Sequence, residues 1–161
     1  MQAASILVEL LKAKGLTCAT AESCTGGGVG HAITAVPGSS AVYLGGVVSY
    51  DNSVKQNVLG VEPWILGTAD KSVRSPGAVS SECAAQMAEG VRKLLKADIA
   101  VSITGIAGPD GGSEEKPVGT VWFGLATKDR TRTEHALFIG DRETVRQKAI
   151  THALGMLQTA A

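Results

Sequence analysis

Aromatic side chains are scarce: two Trp, two Tyr and two Phe in 161 residues. A core built without large rings must be filled by Ala, Val, Leu and Ile, which suits helices packed closely on a sheet. Neither sign of charge is in excess, since 15 basic residues balance 15 acidic ones and the formal net charge is zero. No long-range field therefore draws the chain onto nucleic acid or an anionic membrane surface. Apolar runs of roughly 18 residues are missing, as is a charged leader followed by an apolar core. The expectation is a cytoplasmic protein with neither a membrane nor a nucleic-acid partner. Cysteines are few: Cys18, Cys24 and Cys83 are odd in number and lack CxxC spacing, which argues against a zinc site and against a disulfide framework. The simplest reading of the length is a single domain spanning 1–161, large enough to bury its own core.

Periodicity supplies the elements. Ile6, Leu7, Leu10 and Leu11 recur at helical spacing, and Gly15 stops that helix. A short apolar strand (16–21) leads into a serine- and glycine-rich turn and a helix starting near Gly27. After the turn cluster 36–40 comes a strand-like run (43–50) holding Gly45 and Gly46, glycines that mark a bulge or the close approach of a ligand or of backbone. Asp51 or Asn52 caps a short helix ending at Gly60, and 61–79 is expected to be a surface loop with one helical turn. Ser80 or Ser81 caps a helix over 82–96 whose apolar face includes Ala84, Met87, Ala88, Val91, Leu94 and Leu95. A strand (99–104), a glycine-rich loop (105–117), two strands joined by a charged hairpin at 128–132, and a helix capped by Asp141 complete the chain. This order predicts an α/β fold: a single-domain three-layer α/β/α sandwich with a mixed sheet.

The run Thr20-Ala21-Glu22-Ser23-Cys24-Thr25-Gly26-Gly27-Gly28 carries the most chemistry. A strand that breaks at a serine and restarts as a glycine-led helix presents the hydroxyl at the sheet edge, beside backbone N–H groups that can hold an anion. Equally, it is a tight turn in which Ser23 or Thr25 caps the helix. Cys24 is the one cysteine placed to act as a nucleophile, although no nearby histidine would activate it. His31, His135 and His152 sit on helices or an edge strand and make poor triad members. A serine site would then need another base, and Lys55, with Tyr50 to relay or orient, is the economical choice; lysine in a dry pocket loses its proton readily. The alternative is a solvated helix lysine. The Thr104-Gly105-Ile106-Ala107-Gly108-Pro109 run leaves the end of a strand where open α/β sheets bind ligands, though it lacks the Gly-Lys-Ser/Thr of a P-loop. Arg142 and Arg146 lie one turn apart, as a phosphate clamp or as surface residues.

Taken together, Ala21-Glu22-Ser23-Cys24-Thr25-Gly26-Gly27, Val36-Pro37-Gly38-Ser39-Ser40, and Leu44-Gly45-Gly46-Val47-Val48-Ser49-Tyr50 followed by Lys55 resemble the CinA C-terminal domain family. The match continues in order through Gly77-Ala78-Val79-Ser80, the Thr104 to Gly112 run, Lys116-Pro117-Val118-Gly119-Thr120-Val121 and Gly140-Asp141-Arg142. Two departures are a longer 62–76 stretch and Gly28 in place of a bulkier residue. The resemblance implies a nicotinamide-nucleotide amidohydrolase of the pyridine nucleotide cycle, converting nicotinamide mononucleotide to nicotinate mononucleotide and ammonia. It implies Ser23 as nucleophile, activated by Lys55 and Tyr50, with backbone donors of Thr25, Gly26 and Gly27 around the oxyanion. Gly45, Gly46, Thr104, Gly105, Ala107, Gly108 and Arg142 are the expected substrate-binding residues. Larger relatives carry a further N-terminal domain, and this chain is expected to be a stand-alone version. Neither a metal nor an organic cofactor is called for; the expected partner is a small-molecule substrate, and a homo-oligomer is left open. The competing class is a non-catalytic nucleotide- or partner-binding module linked to competence or DNA damage.

Overall fold

Local sequence sets most of the elements found in the computed structural model, which describes residues 2–70 and 72–161; Met1 and Lys71 lie outside the described residues. Helix α1 (Gln2–Lys14) ends at Gly15, whose φ of 63° closes the last turn as only a residue without Cβ does cheaply. The buried face of α1 is Ala4, Leu7, Val8 and Leu11, so Ile6, half exposed, lies off the stripe expected for it. Helices α2 (Gly28–Thr34), α3 (Asn52–Asn57), α4 (Pro63–Leu66), α5 (Ser81–Leu95) and α6 (Arg142–Ala160) follow in chain order. Ser80 caps α5 by accepting from the Cys83 N–H, and Asp141 caps α6 by accepting from the Thr144 N–H. Each such cap contributes about 1 kcal/mol.

Strands β1 (Cys18–Glu22), β2 (Tyr43–Val48), β3 (Ile99–Gly105), β4 (Thr120–Ala126) and β5 (Thr131–Leu137) form one sheet in the order β2-β1-β3-β4-β5. The first three are parallel, and β4 runs antiparallel to both β3 and β5, which makes the sheet mixed. One face packs against α1, α2 and α6 through Cys18, Ile99, Val101, Ile103, Val121, Phe123 and Leu125. The other is covered by α4 and α5 through Ala19, Ala21 and Ala100 meeting Met87, Val91, Leu59 and Ile65. The result is the three-layer α/β/α sandwich. Its sheet reverses order between β1 and β3, because β1 leads outward to β2 while β3 is added on the opposite side. A crevice therefore opens beyond the carboxyl ends of those two strands, the place where open α/β sheets take ligands.

One expectation changes here, and the readings left open for two glycines narrow. The 61–79 stretch is not merely a surface loop, since Val61, Ile65 and Leu66 are buried in the α5-side core. Gly45 marks a bulge: Tyr43 and Gly45 pair with the consecutive residues Cys18 and Ala19, leaving Leu44 extra, and Gly45 adopts a φ of 139°. Gly46 is required by packing, because a Cβ there would overlap the Thr20 and Tyr43 hydroxyl oxygens. Of the two departures from the family pattern, Gly28 lets α2 close onto Ile150 of α6, and the 62–76 segment builds α4.

Gly90 tests the packing directly. Helix propensity alone favours Gly90→Ala by about 1 kcal/mol. A Cβ at that position would, however, overlap the Leu59 carbonyl, which is backbone and cannot swing aside. The substitution is expected to lower the unfolding free energy by about 1–3 kcal/mol, read as a fall in the urea midpoint.

Candidate active site

Alternation along β1 separates two neighbours. Residues 18, 20 and 22 point to the α2 side and residues 19 and 21 to the α5 side, so the next residue, Ser23, faces α5. The Ser23 N–H extends the ladder by donating to the Ile103 carbonyl, and the Ser23 carbonyl accepts from the Gly26 N–H. Its Oγ, 8 % exposed for the residue as a whole, makes no hydrogen bond among the described residues. It opens into a cavity of about 210 Å³ shared with Cys24, Tyr50, Asn52, Lys55, Ala78, Val79, Thr104, Gly105, Ala107 and Arg142. Elements from across the chain thus meet at the sheet's switch point.

Lys55 is 2 % exposed, which is rare for a lysine. Its Nζ donates to the Ser49 carbonyl at 2.8 Å and the Tyr50 carbonyl at 3.2 Å, and no carboxylate lies within ion-pair distance among the described residues. Burial drives its pKa down from the ordinary 10.5, with smaller opposing contributions from Cys83, Asp51 and Cys24. Asp51, the cap of α3, sets the register of that helix and so the reach of Lys55. Tyr50 meets Lys55 through its main chain, while its phenol accepts from Arg142 Nη2 at 3.1 Å. Arg142 also donates through Nη1 to the Gly108 carbonyl at 2.8 Å, tying the first turn of α6 to the glycine-rich loop and to the residue after β2. Thr104 Oγ1 donates to the Ala78 carbonyl and holds the wall that precedes α5.

Several expected site residues lie elsewhere. Gly45 and Gly46 do not line this cavity, and neither do Thr25, Gly26 and Gly27. The N–H groups of Gly26 and Gly27 already donate, to the Ser23 carbonyl and the Glu22 carboxylate respectively, so the start of α2 is not an open anion site. Among the described residues the N–H groups of Thr25 and Ala107 have no protein acceptor. Gly108 contributes its carbonyl to Arg142. Arg146 is engaged internally, donating to the carbonyls of Cys24 and Thr25 and pairing with Glu143, so it braces the serine turn. Asn52, Ala78 and Val79 were not read from sequence; only the Gly77-Ala78-Val79-Ser80 motif hinted at the latter two. None of the histidines lines the cavity; His152 pairs with Glu134 between Phe123 and Phe138, and His135 stacks on Trp122. A larger groove of about 610 Å³ opens at the opposite end of the sheet, between Leu16, Ile99, Leu125 and the 127–132 hairpin. It combines no free hydroxyl with a buried amine, so chemistry rather than size selects the smaller cavity.

An open α/β domain with a hydroxyl and a desolvated amine at its switch point is the class that fold and site define. The CinA C-terminal domain family matches over residues 1–161, and the chain belongs to that family. It is 48% identical over 158 residues to nicotinamide-nucleotide amidohydrolase PncC of Escherichia coli K12, covering 98% of this chain and 92% of that protein. It is 47% identical over 153 residues to a putative competence-damage inducible protein of Moorella thermoacetica, of which it spans 35%. Among solved structures, competence/damage inducible protein CihA from Agrobacterium tumefaciens superposes with a TM-score of 0.91 at 38% identity, covering 98% of this chain and 93% of that one. The ComA structure from Klebsiella pneumoniae gives a TM-score of 0.89 at 39% identity, covering 98% and 94%. Among the described residues no helix is long and apolar enough to cross a membrane.

The site also fixes the state of its thiols. Burial pushes Cys24 and Cys83 up to about 11 and Cys18 to about 12, and all three are 5 % exposed or less. Reactivity follows the thiolate. The native protein at pH 8 is expected to leave all three unmodified by Ellman's reagent over minutes, with three equivalents released in urea.

Proposed function

We propose that this chain hydrolyses the carboxamide of nicotinamide mononucleotide, giving the carboxylate and ammonia, with Ser23 as nucleophile and Lys55 as general base. One observation carries the reading: an uncommitted serine hydroxyl shares a small cavity with a buried lysine that lacks a carboxylate partner. Burial without a counter-ion costs a protein stability, and a binding module has no need of it. The similarity to PncC supplies the substrate class.

In this mechanism Ser23 Oγ attacks the carboxamide carbon while its proton passes to neutral Lys55 Nζ. The carbonyl electrons move onto oxygen, where the N–H of Ala107, a residue of the cavity wall without a protein acceptor among the described residues, would donate. Collapse breaks the C–N bond, and the departing nitrogen takes the proton from Lys55. Water then attacks the acyl-enzyme, losing a proton to Lys55, and Ser23 leaves with that proton. Tyr50 and Ser49 act through their carbonyls, which hold the amine in place. Ligand pockets commonly measure about 300–1,000 Å³, and this one measures about 210 Å³. It therefore accommodates the pyridine carboxamide end, leaving the phosphate at the rim near Arg142. Thr104 and Gly105 form the floor on which the ring and ribose would lie. A role in pyridine nucleotide recycling follows from that reaction.

Ammonia release from nicotinamide mononucleotide is the direct test. Ser23→Ala is expected to lower kcat at least ~1,000-fold with a native circular dichroism spectrum, whereas Cys24→Ala retains activity within a few-fold. If the reverse holds, the nucleophile is the thiol. Because the free base is the active form of Lys55, the rate should rise with pH through its lowered pKa and then level off. Lys55→Arg should be inactive at every pH, since guanidinium does not deprotonate; a fully active arginine variant excludes lysine as base.

Arg142 gives a second, separable test. A phosphate held equally in ground and transition states contributes to KM rather than kcat. Arg142→Ala is expected to raise KM on the order of tenfold or more, as loss of a charge-assisted hydrogen bond implies, with a smaller effect on kcat. It should also erase most of the preference for the nucleotide over the riboside. A preference that survives the substitution moves phosphate recognition to the loop backbone.

A further inference from the structure

Next to Ser23 lies a buried carboxylate that the proposed chemistry does not use. Glu22 is 1 % exposed and has no cationic partner within ion-pair distance among the described residues. Its Oε2 accepts from Thr25 Oγ1 at 2.7 Å, the Gly27 N–H at 3.1 Å and the Val29 N–H at 3.0 Å, and its Oε1 accepts from the Gly30 N–H at 2.8 Å. Four donors satisfy the carboxylate, which is what makes its burial tolerable. They also satisfy the start of α2, whose own N-cap, Gly27, has no side chain to do so. The segment between, 23–27, includes Gly26 and Gly27 at φ of 60° and 94°; Arg146 holds its carbonyls from α6, and Glu22 is the side chain that ties its two ends together. The main chain of Glu22 is held as well, its carbonyl accepting from the Ser49 N–H at 2.8 Å, and Ser49 is the residue whose carbonyl receives Lys55.

We infer that Glu22 is a positioning residue: its carboxylate clamps the serine turn to α2 and so fixes the direction in which Ser23 Oγ enters the cavity. The inference rests on the proposed role of Ser23. A reacting atom displaced by about 1 Å costs on the order of 100-fold in rate, while substrate contacts on Arg142 and the Thr104 loop stay where they are. Glu22 therefore acts on kcat and on the intrinsic reactivity of Ser23, not on KM. Glutamine at this position keeps the shape but turns one oxygen into an NH2 group facing a backbone N–H.

A fluorophosphonate probe reads Ser23 without reference to the substrate: the Oγ–P bond forms, the P–F bond breaks, and the serine proton leaves with fluoride. Glu22→Gln is expected to slow labelling of Ser23 by at least ~50-fold per folded molecule and to lower kcat comparably, with KM for nicotinamide mononucleotide within about threefold. A purely structural role would lower the folded fraction and leave the labelling rate of folded molecules unchanged; that result overturns the inference. Should Glu22→Gln fail to fold, Thr25→Val, which removes one donor, is expected to slow labelling by about fivefold, and an unchanged rate again overturns it. Labelling of some other residue, or of none, in the wild type removes Ser23 and the inference together. Wild type that is labelled at Ser23 yet releases no ammonia sinks the substrate assignment and leaves the role of Glu22 standing.

Discussion

The acceptance of four hydrogen bonds by the Glu22 carboxylate is the contact on which the rest of this site depends. A helix that starts one tight turn after a buried strand must satisfy N–H groups away from water, and here the acceptor comes from the last residue of that strand. The consequence is an inversion. A glycine-led helix start of this kind is a ready anion site when its donors face a ligand; here an internal carboxylate takes the place such an anion would occupy. Because neighbouring strand residues point to opposite faces, committing Glu22 to α2 sends Ser23 the other way, towards α5 and Lys55. With the helix start closed, the proposed reading assigns the recognition of a charged ligand to Arg142.

Ser23 and Lys55, the proposed nucleophile and base, are fixed by a short run of main chain. Ser49 donates its N–H to the Glu22 carbonyl and accepts Lys55 at its own carbonyl, so the serine turn and the amine share one backbone anchor. From the other direction Arg146 holds the carbonyls of Cys24 and Thr25, and Arg142 bridges the Gly108 carbonyl and the Tyr50 phenol. The loops after β1, β2 and β3 are thereby tied together by α6. Desolvating Lys55 opposes folding, and the protein offsets it with two carbonyl acceptors and a well-packed surround. That arrangement favours the neutral amine, the form that the proposed base role requires.

Similarity and geometry contribute different things to the functional reading. Residues 1–161 match the family, and relatives such as the Moorella protein are about three times as long as the part that this chain spans. The PncC similarity extends over nearly the whole of that shorter protein and suggests the substrate class. Neither comparison says which atoms react. A hydroxyl without a partner, an amine without a counter-ion and an arginine at the rim of one cavity are the candidates for that role.

Much of this was legible in the sequence because it is local. The end of α1 at Gly15, the caps Ser80 and Asp141, the strand beginning at Ile99 and the α6 face from Val145 to Leu157 are each set by residues within a few positions, and propensity, spacing and capping are short-range effects. Ser23, Lys55 and Arg142 were also nameable, by resemblance and by the lack of a usable histidine. What sequence did not yield depended on distant partners. Burial of Val61, Ile65 and Leu66 requires α5; the packing role of Gly46 requires Tyr43 folded back beneath it; Arg146 reaches residues more than a hundred positions away. Glu22 read as an ordinary motif residue because whether a carboxylate meets water or four backbone donors is decided by which face of a strand is covered. Local sequence accounts for the elements and for the residue types gathered in the cavity. Which donors stay free follows from packing, since a hydrogen-bonding group has one set of partners and the packed fold chooses them.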